Sequence, residues 1–291
     1  MIQFGVASTC LDQPDSIRYC VEWAIGRGFS GVEFNAPEMY LAEQSMVDLK
    51  WALDMSVEHN LRYTYHFPPS ALPGSFVAAT RERELEEFSK EIYVAGELGV
   101  EVAIVHPGRL HVPGVDQGDE SEDDRLVAIS YFVDWAKDAA KEAESAGVVI
   151  GFENMHYNPG WVIRSHHELA DVIDEIDHES VGITLDVGHA WGSGGIDAGI
   201  EMFGERIKHV QVHDARGPEG AGNVRDQHLE IGTGLVTWDS VGELVGGREF
   251  LVVLETSGRD PDREGMALRS RDLLQKQWNS DLPRLSVTKC C

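Results

Sequence analysis

The chain has 291 residues, 42% of them hydrophobic, and a formal net charge of -26 from 24 basic and 50 acidic side chains. That length suits two average domains or one large barrel, and no apolar run is long enough to span a bilayer. So acidic a surface disfavours nucleic acid and anionic membranes, and it fits a solubility adaptation of the kind seen at high salt.

Strand-like and helix-like segments alternate along the chain. Ile2 to Ala7 reads as the first strand, followed by a helix from Pro14 to Arg27. Gly31 to Phe34 (GVEF) is the second strand, with a helix over Gln44 to Glu58. RYTYHF ending near His66 is the third, with a long helix from Arg81 to Leu98. EVAIVHP, through His106, is the fourth; an acidic loop from Gly114 to Asp124 then leads into a helix from Arg125 to Ala146. VVIGFE, ending at Glu153, is the fifth, and a helix runs from Ser165 to Ile176. VGITLD, ending at Asp186, is the sixth, with a short helix from Asp197. IKHVQVH, ending at His213, is the seventh. A long polar loop, a short helix from Trp238 to Leu244, the eighth strand EFLVVLE ending at Glu255 and a last helix from Arg263 to Trp278 complete the pattern.

Eight strands alternating with helices, several of them apolar nearly throughout, predict a parallel sheet buried on both faces. With no topological break, the fold class is α/β, a single-domain (β/α)8 TIM barrel over residues 1–279. Residues 280–291 form a C-terminal tail without periodicity. The N-terminus enters a strand directly, with no secretory signal, and the expected location is cytoplasmic. Cys10, Cys20, Cys290 and Cys291 form no CxxC pair, which fits a reducing compartment.

The strand ends carry the chemistry. Six apolar runs finish on His66, His106, Glu153, Asp186, His213 and Glu255, and Glu33 stands near the end of the second strand. In such a barrel the active site lies at the C-terminal ends of the strands. Glu153, Asp186, His213 and Glu255 would converge on one part of the mouth, three carboxylates and an imidazole with no matching Lys or Arg. A divalent cation relieves their repulsion, and the mixed oxygen and nitrogen donors suit Mn²⁺, Zn²⁺, Co²⁺ or Mg²⁺. Any one of them alone could be a satisfied rim residue; four in succession at equivalent positions point to a site. His189 follows Asp186 by three residues, and Asp226 and His228 form a DxH pair in the loop after the seventh strand. Of the remaining histidines, His156 is close enough to Glu153 to reach the mouth. Phe67, Trp161 and Trp191 are candidate walls of a substrate pocket, Arg216 a candidate partner for a charged substrate, and IGTG at 231–234 a candidate phosphate cradle.

VHPG at 105–108, FEN at 152–154, LDVGHA at 185–190, VHD at 212–214, DQHLEIGTG at 226–234 and LET at 254–256 together resemble the xylose-isomerase-like TIM barrels. That superfamily includes sugar and sugar-phosphate isomerases and epimerases, and endonuclease IV. The isomerase and epimerase branch implies one divalent metal on Glu153, Asp186, His213 and Glu255. It also implies an enediolate, with Glu153 and Glu255 as the catalytic pair moving protons on opposite faces of the substrate carbon. His189 would then contact substrate oxygens, and His66, His106 and His228 would line the pocket; from their own positions, Arg216 and Glu33 are further candidates to bind substrate, with an exposed loop arginine and a carboxylate paired to a neighbour as the alternatives. The endonuclease IV branch implies three zinc ions, with His66, His106, His189, Asp226 and His228 as additional metal ligands and a phosphodiester as substrate. Other chemistry on this scaffold, such as dehydration of an inositol-derived ketone, is a third reading. Three features favour a small-molecule substrate over DNA: the acidity, the loop FPPSALPGS after His66, and VGHAWGSGG after Asp186. Relatives of this kind often form homo-oligomers.

Overall fold

The computed structural model describes residues 2–116, 119–222, 226–258 and 261–278. Eight parallel strands close into one barrel: β1 (Gln3–Ala7), β2 (Gly31–Asn35), β3 (Arg62–His66), β4 (Val100–Val105), β5 (Val149–Glu153), β6 (Val181–Asp186), β7 (Ile207–Val212) and β8 (Leu251–Leu254). β8 pairs with β1 from Gln3 opposite Leu251 to Val6 opposite Leu254, so no sheet edge is left open.

The helices outside the barrel are α1 (Ile17–Arg27), α2 (Met46–His59), α3 (Ala78–Leu98), α4 (Glu122–Ala146), α5 (His166–Ile176), α6 (Val187–Ser193), α7 (Ile196–Phe203), α8 (Asp239–Gly247) and α9 (Arg263–Trp278). Capping side chains open five of them: Ser16, Ser45, Ser121, Ser165 and Asp186 at α1, α2, α4, α5 and α6. Ser16, not Pro14, opens α1 by accepting the Tyr19 N–H. Ser121 and Asp124 form a reciprocal capping box, so the end of the expected acidic loop is the first turn of α4, where Glu122, Asp123 and Asp124 meet the positive end of the helix dipole. α6 is a helix the sequence did not announce. The tail 280–291, with Cys290 and Cys291, lies outside the described residues; Cys10 and Cys20 are buried free thiols. Among the described residues, no helix is long and apolar enough to cross a membrane.

A buried polar layer crosses the barrel interior beneath the mouth. Glu33 on β2 stands opposite Thr64 on β3 and receives hydrogen bonds from Thr64 Oγ1 at 3.0 Å and Gln211 Nε2 at 2.9 Å, and His209 Nε2 lies 3.0 Å away. This fully buried polar layer lies below the mouth, one side-chain layer beneath the level of Asn35 and His66, which pair across β2 and β3.

Candidate metal centre at the barrel mouth

Strand register brings four residues together. Glu153 pairs across the sheet with Thr184, which leaves Asp186 two residues further along β6. Val212 pairs with Leu254, so His213 and Glu255 emerge level with one another. Glu153, Asp186 and His213 are at most 1% exposed and Glu255 is 5% exposed, so the side chains are held out of bulk water. Asn154 ties two of these strand ends together. Its Nδ2 donates to the Asp186 carbonyl at 2.9 Å, and its Oδ1 accepts the Asp186 N–H at 2.8 Å.

Asp186 has a second task. Its Oδ1 accepts the His189 N–H at 2.6 Å and so caps α6, a helix that its two glycines would otherwise disfavour. One helical turn on, His189 Nδ1 reaches to 2.8 Å from Glu153 Oε1. Gly188 lies between them with no room for a side chain: a Cβ there would stand 2.0 Å from His213 Cε1.

Two histidines complete the wall beside Glu153. His66 Nε2 is 3.2 Å and His106 Nε2 3.0 Å from Glu153 Oε2, and the two rings meet edge to face at 4.9 Å. The opposite side is built by the loop after β7. Asp214 and Leu229 exchange backbone hydrogen bonds, which sets His228 against His213 as a parallel ring stack 4.3 Å apart. Asp226 lies 2.9 Å from His228 Nε2 and 3.8 Å from His213 Nε2. His228 holds a left-handed backbone, with φ of 45°, a strained conformation of the kind that collects at functional sites.

The Asp214 carboxylate holds this loop. It accepts the N–H groups of Ala215, Gly232, Gly234 and Val236 at 2.8 to 3.1 Å and is 1% exposed. Of the IGTG amides that were a candidate phosphate cradle, Gly232 and Gly234 donate to the protein's own carboxylate and Ile231 and Thr233 to Ser270 Oγ and the Glu230 carbonyl, and a Cβ at Gly234 would stand 2.2 Å from Asp214 Oδ1. Asp214→Asn should lower stability by about 3 kcal/mol, because an amide nitrogen would face N–H donors. An unchanged urea midpoint would count against this role.

The donor atoms suit a cation. The Nδ1 atoms of His66, His213 and His228 lie 2.9, 3.2 and 2.7 Å from the carbonyls of Phe67, Asp214 and Glu255. Those contacts assign the proton to Nδ1 and leave the Nε2 lone pair for a metal. His189 Nε2, His213 Nε2, His106 Nδ1 and Asp186 Oδ2 are buried and lack a hydrogen-bond partner. Three overlapping groups have ligand atoms close enough for one ion each: His66, His106 and Glu153; Glu153, Asp186 and His189; and His189, His213, Asp226 and His228. Glu255 faces the same space without belonging to any of these groups.

The charges respond accordingly. Burial opposes ionisation of Glu153, but His106, His189 and His66 hold it well below the usual carboxylate range. Asp186 is likewise lowered against burial by His189 and His213. Glu255 moves the other way, raised first by burial and then by Glu33, Glu153 and Asp186. His66 is raised to about 9, because Glu153 and Glu33 outweigh the burial that opposes protonation. His156 is pushed down to about 4, mainly by burial and then by His189.

A cavity of about 360 Å³ opens over these groups. His66, His106, Glu153, His189, Asp226, His228 and Glu255 line it, while Asp186 and His213 lie beneath its floor. His156 and Trp161 also line it. Other expectations require correction. Glu33 stays in the layer below, its oxygens already paired, and does not reach the cavity. Arg216 is exposed and outside the cavity lining, its backbone N–H donating to Gln227 Oε1. Phe67 packs between Tyr65 and Phe88. Trp191 donates its indole N–H to the Gly217 carbonyl. The sequence reading missed Asn35, Met155 and Arg109 as lining residues. Arg109 was detectable as the third residue after a strand-end histidine.

Comparison with known proteins agrees with this architecture. A protein of Methanocaldococcus jannaschii described as uncharacterized is 27% identical over 282 residues, covering 94% of this chain and 89% of its own. A probable endonuclease 4 of Methanoculleus marisnigri is 26% identical over 180 residues, and the match spans 57% of this chain and 60% of that protein. Among solved structures, a D-tagatose 3-epimerase-like protein superposes with a TM-score of 0.76 at 24% identity, covering 95% of this chain and 97% of its own. D-psicose 3-epimerase from Clostridium cellulolyticum H10 also gives 0.76, at 17% identity with 94% and 98% covered. At these identities the structural matches speak to the fold. The family described as Xylose isomerase-like TIM barrel matches residues 21–277, and the chain belongs to that family.

Proposed function

We propose that the protein is a divalent-metal-dependent isomerase or epimerase of a sugar, sugar phosphate or related hydroxyketone. The observation that carries this reading is the set of buried, unpartnered donor atoms on Asp186, His189 and His213 beneath a cavity of small-molecule size. Glu153, Asp186, His213 and Glu255 would hold the ion. When bound, it would grip adjacent oxygens of the substrate and stabilise the negative charge that develops as a carbon-bound proton leaves. Glu153 and Glu255, three strands apart around the rim, would take and return that proton on opposite faces. His189 orients Glu153 through the 2.8 Å contact, and Trp161 closes the outer wall against water. Mn²⁺, Zn²⁺, Co²⁺ and Mg²⁺ all suit this donor set.

A second reading rests on a different observation. Eight residues, all the candidate ligands but Glu255, fall into three ligand groups rather than one, which favours a three-metal phosphodiesterase of the endonuclease 4 type. Elemental analysis separates the two. The isomerase reading expects one tightly held ion per chain, with deuterium from solvent entering ketoses at the carbon next to the carbonyl. Three zinc ions, with cleavage of an abasic-site duplex and no deuterium uptake, would replace it with the nuclease.

A further inference from the structure

We propose that Arg109 is an anion-binding residue and that the small-molecule substrate carries an oxyanion, a phosphate or a carboxylate, a few bonds from the reacting carbon. This deepens the isomerase reading and rests on it. Among the described residues, Arg109 is the one Lys or Arg lining the cavity, whose other charged or titratable lining residues are four carboxylates and five histidines. Its guanidinium carbon lies 4.2 Å from the centre of the Trp161 ring, and no carboxylate among the described residues pairs with it. In a chain with 50 acidic residues, an unpaired arginine at a carboxylate-lined mouth is conspicuous.

The residue is also held in place. Arg109 and Trp161 form an antiparallel bridge, Leu110 N–H donates to the Gly160 carbonyl at 2.8 Å, and Val162 N–H donates to the Gly108 carbonyl at 3.1 Å. The loop after β4 is thereby clamped to the loop after β5. Stacking on an indole fixes the plane of the guanidinium and leaves its N–H edge free, the geometry that suits paired oxygens of a phosphate or carboxylate. Trp161 lines the cavity with its ring centre 6.5 Å from that of His106 and 5.8 Å from that of His156. A substrate with its carbonyl over Glu153 and its far end past Trp161 would meet Arg109.

The test is titration calorimetry on the metal-loaded protein with glycerol 3-phosphate, glycerate and glycerol as probes. One of the two anions should bind, and glycerol should not; which anion binds identifies the group. Arg109→Gln should weaken that binding at least tenfold and Arg109→Lys less, with metal content unchanged in both variants. Anion binding undiminished in Arg109→Gln, or absent from the wild type, overturns the proposal. So does a result in which the variant loses affinity for a duplex oligonucleotide but not for either small anion. Metal content and solvent exchange test the isomerase reading separately.

Discussion

Glu153→Gln should abolish exchange of the substrate's carbon-bound hydrogen with solvent, a loss of at least about 100-fold. Glu153 is 1% exposed and faces His66, His106 and His189, so the substitution removes the charge around which three imidazoles are arranged. Bound metal should fall as well, because a neutral amide is a poor substitute for a carboxylate ligand. Deuterium uptake followed by NMR in metal-saturated buffer, with elemental analysis of the same samples, reads both effects. Glu255→Gln should also stop exchange. If exchange persists in either variant with metal bound, that glutamate does not move the proton.

Removing the ion should expose a stability maximum near pH 6.5. In the metal-free protein, His66 is raised to about 9 by Glu153 and Glu33 against the opposing effect of burial. The stability this supplies is fully present below its ordinary value of 6.5 and is lost as pH rises through 9. His166, packed against Phe203, and His156 are both pushed down to about 4, principally by burial. Their contribution is complete above pH 6.5 and declines as pH falls towards 4. The alkaline limb should be on the order of 3 kcal/mol, and the acid limb, to which two histidines contribute, roughly twice that. Below about pH 4.5, protonation of Glu153 and Asp186, both depressed in the folded state, steepens the acid side. With metal bound, the positive charge beside Glu153 disfavours protonated His66 and the alkaline limb should flatten. Denaturant midpoints between pH 4 and 10, with and without chelator, measure this; a flat metal-free profile from 6.5 to 9.5 would contradict it.

The barrel was legible because parallel strands buried on both faces leave apolar runs, and a polar residue ending such a run stands out. Glu153, Asp186, His213 and Glu255 were found that way. Glu33 misled the same rule. β2 continues to Asn35, and it is Asn35 that stands level with His66, while Glu33 pairs with Thr64 a layer lower. Sequence alone does not fix the register that separates those levels. α6 escaped notice because VGHAWGS has weak intrinsic helix propensity and depends on a cap from Asp186. Asp214 was visible only as the last residue of VHD, with no role assigned, and its oxygens are spent on four amides that only the folded loop brings near. Arg216 and Arg109 are both loop arginines, and what separates them is the Trp161 ring across a different loop.

The proposed ligands leave the barrel from four consecutive strand ends, and the last of these strands, β8, is the one that zips against β1. No segment shorter than 153–255 holds the full set. A bound ion would thus fasten together four neighbouring strand ends that converge only once the second half of the barrel, β5 to β8, has paired and curved. An interaction formed that late slows escape from the native state more than it hastens arrival. The ion should therefore lengthen the lifetime of the closed barrel while leaving its refolding rate nearly unchanged, making the reaction centre a lock on the architecture that carries it.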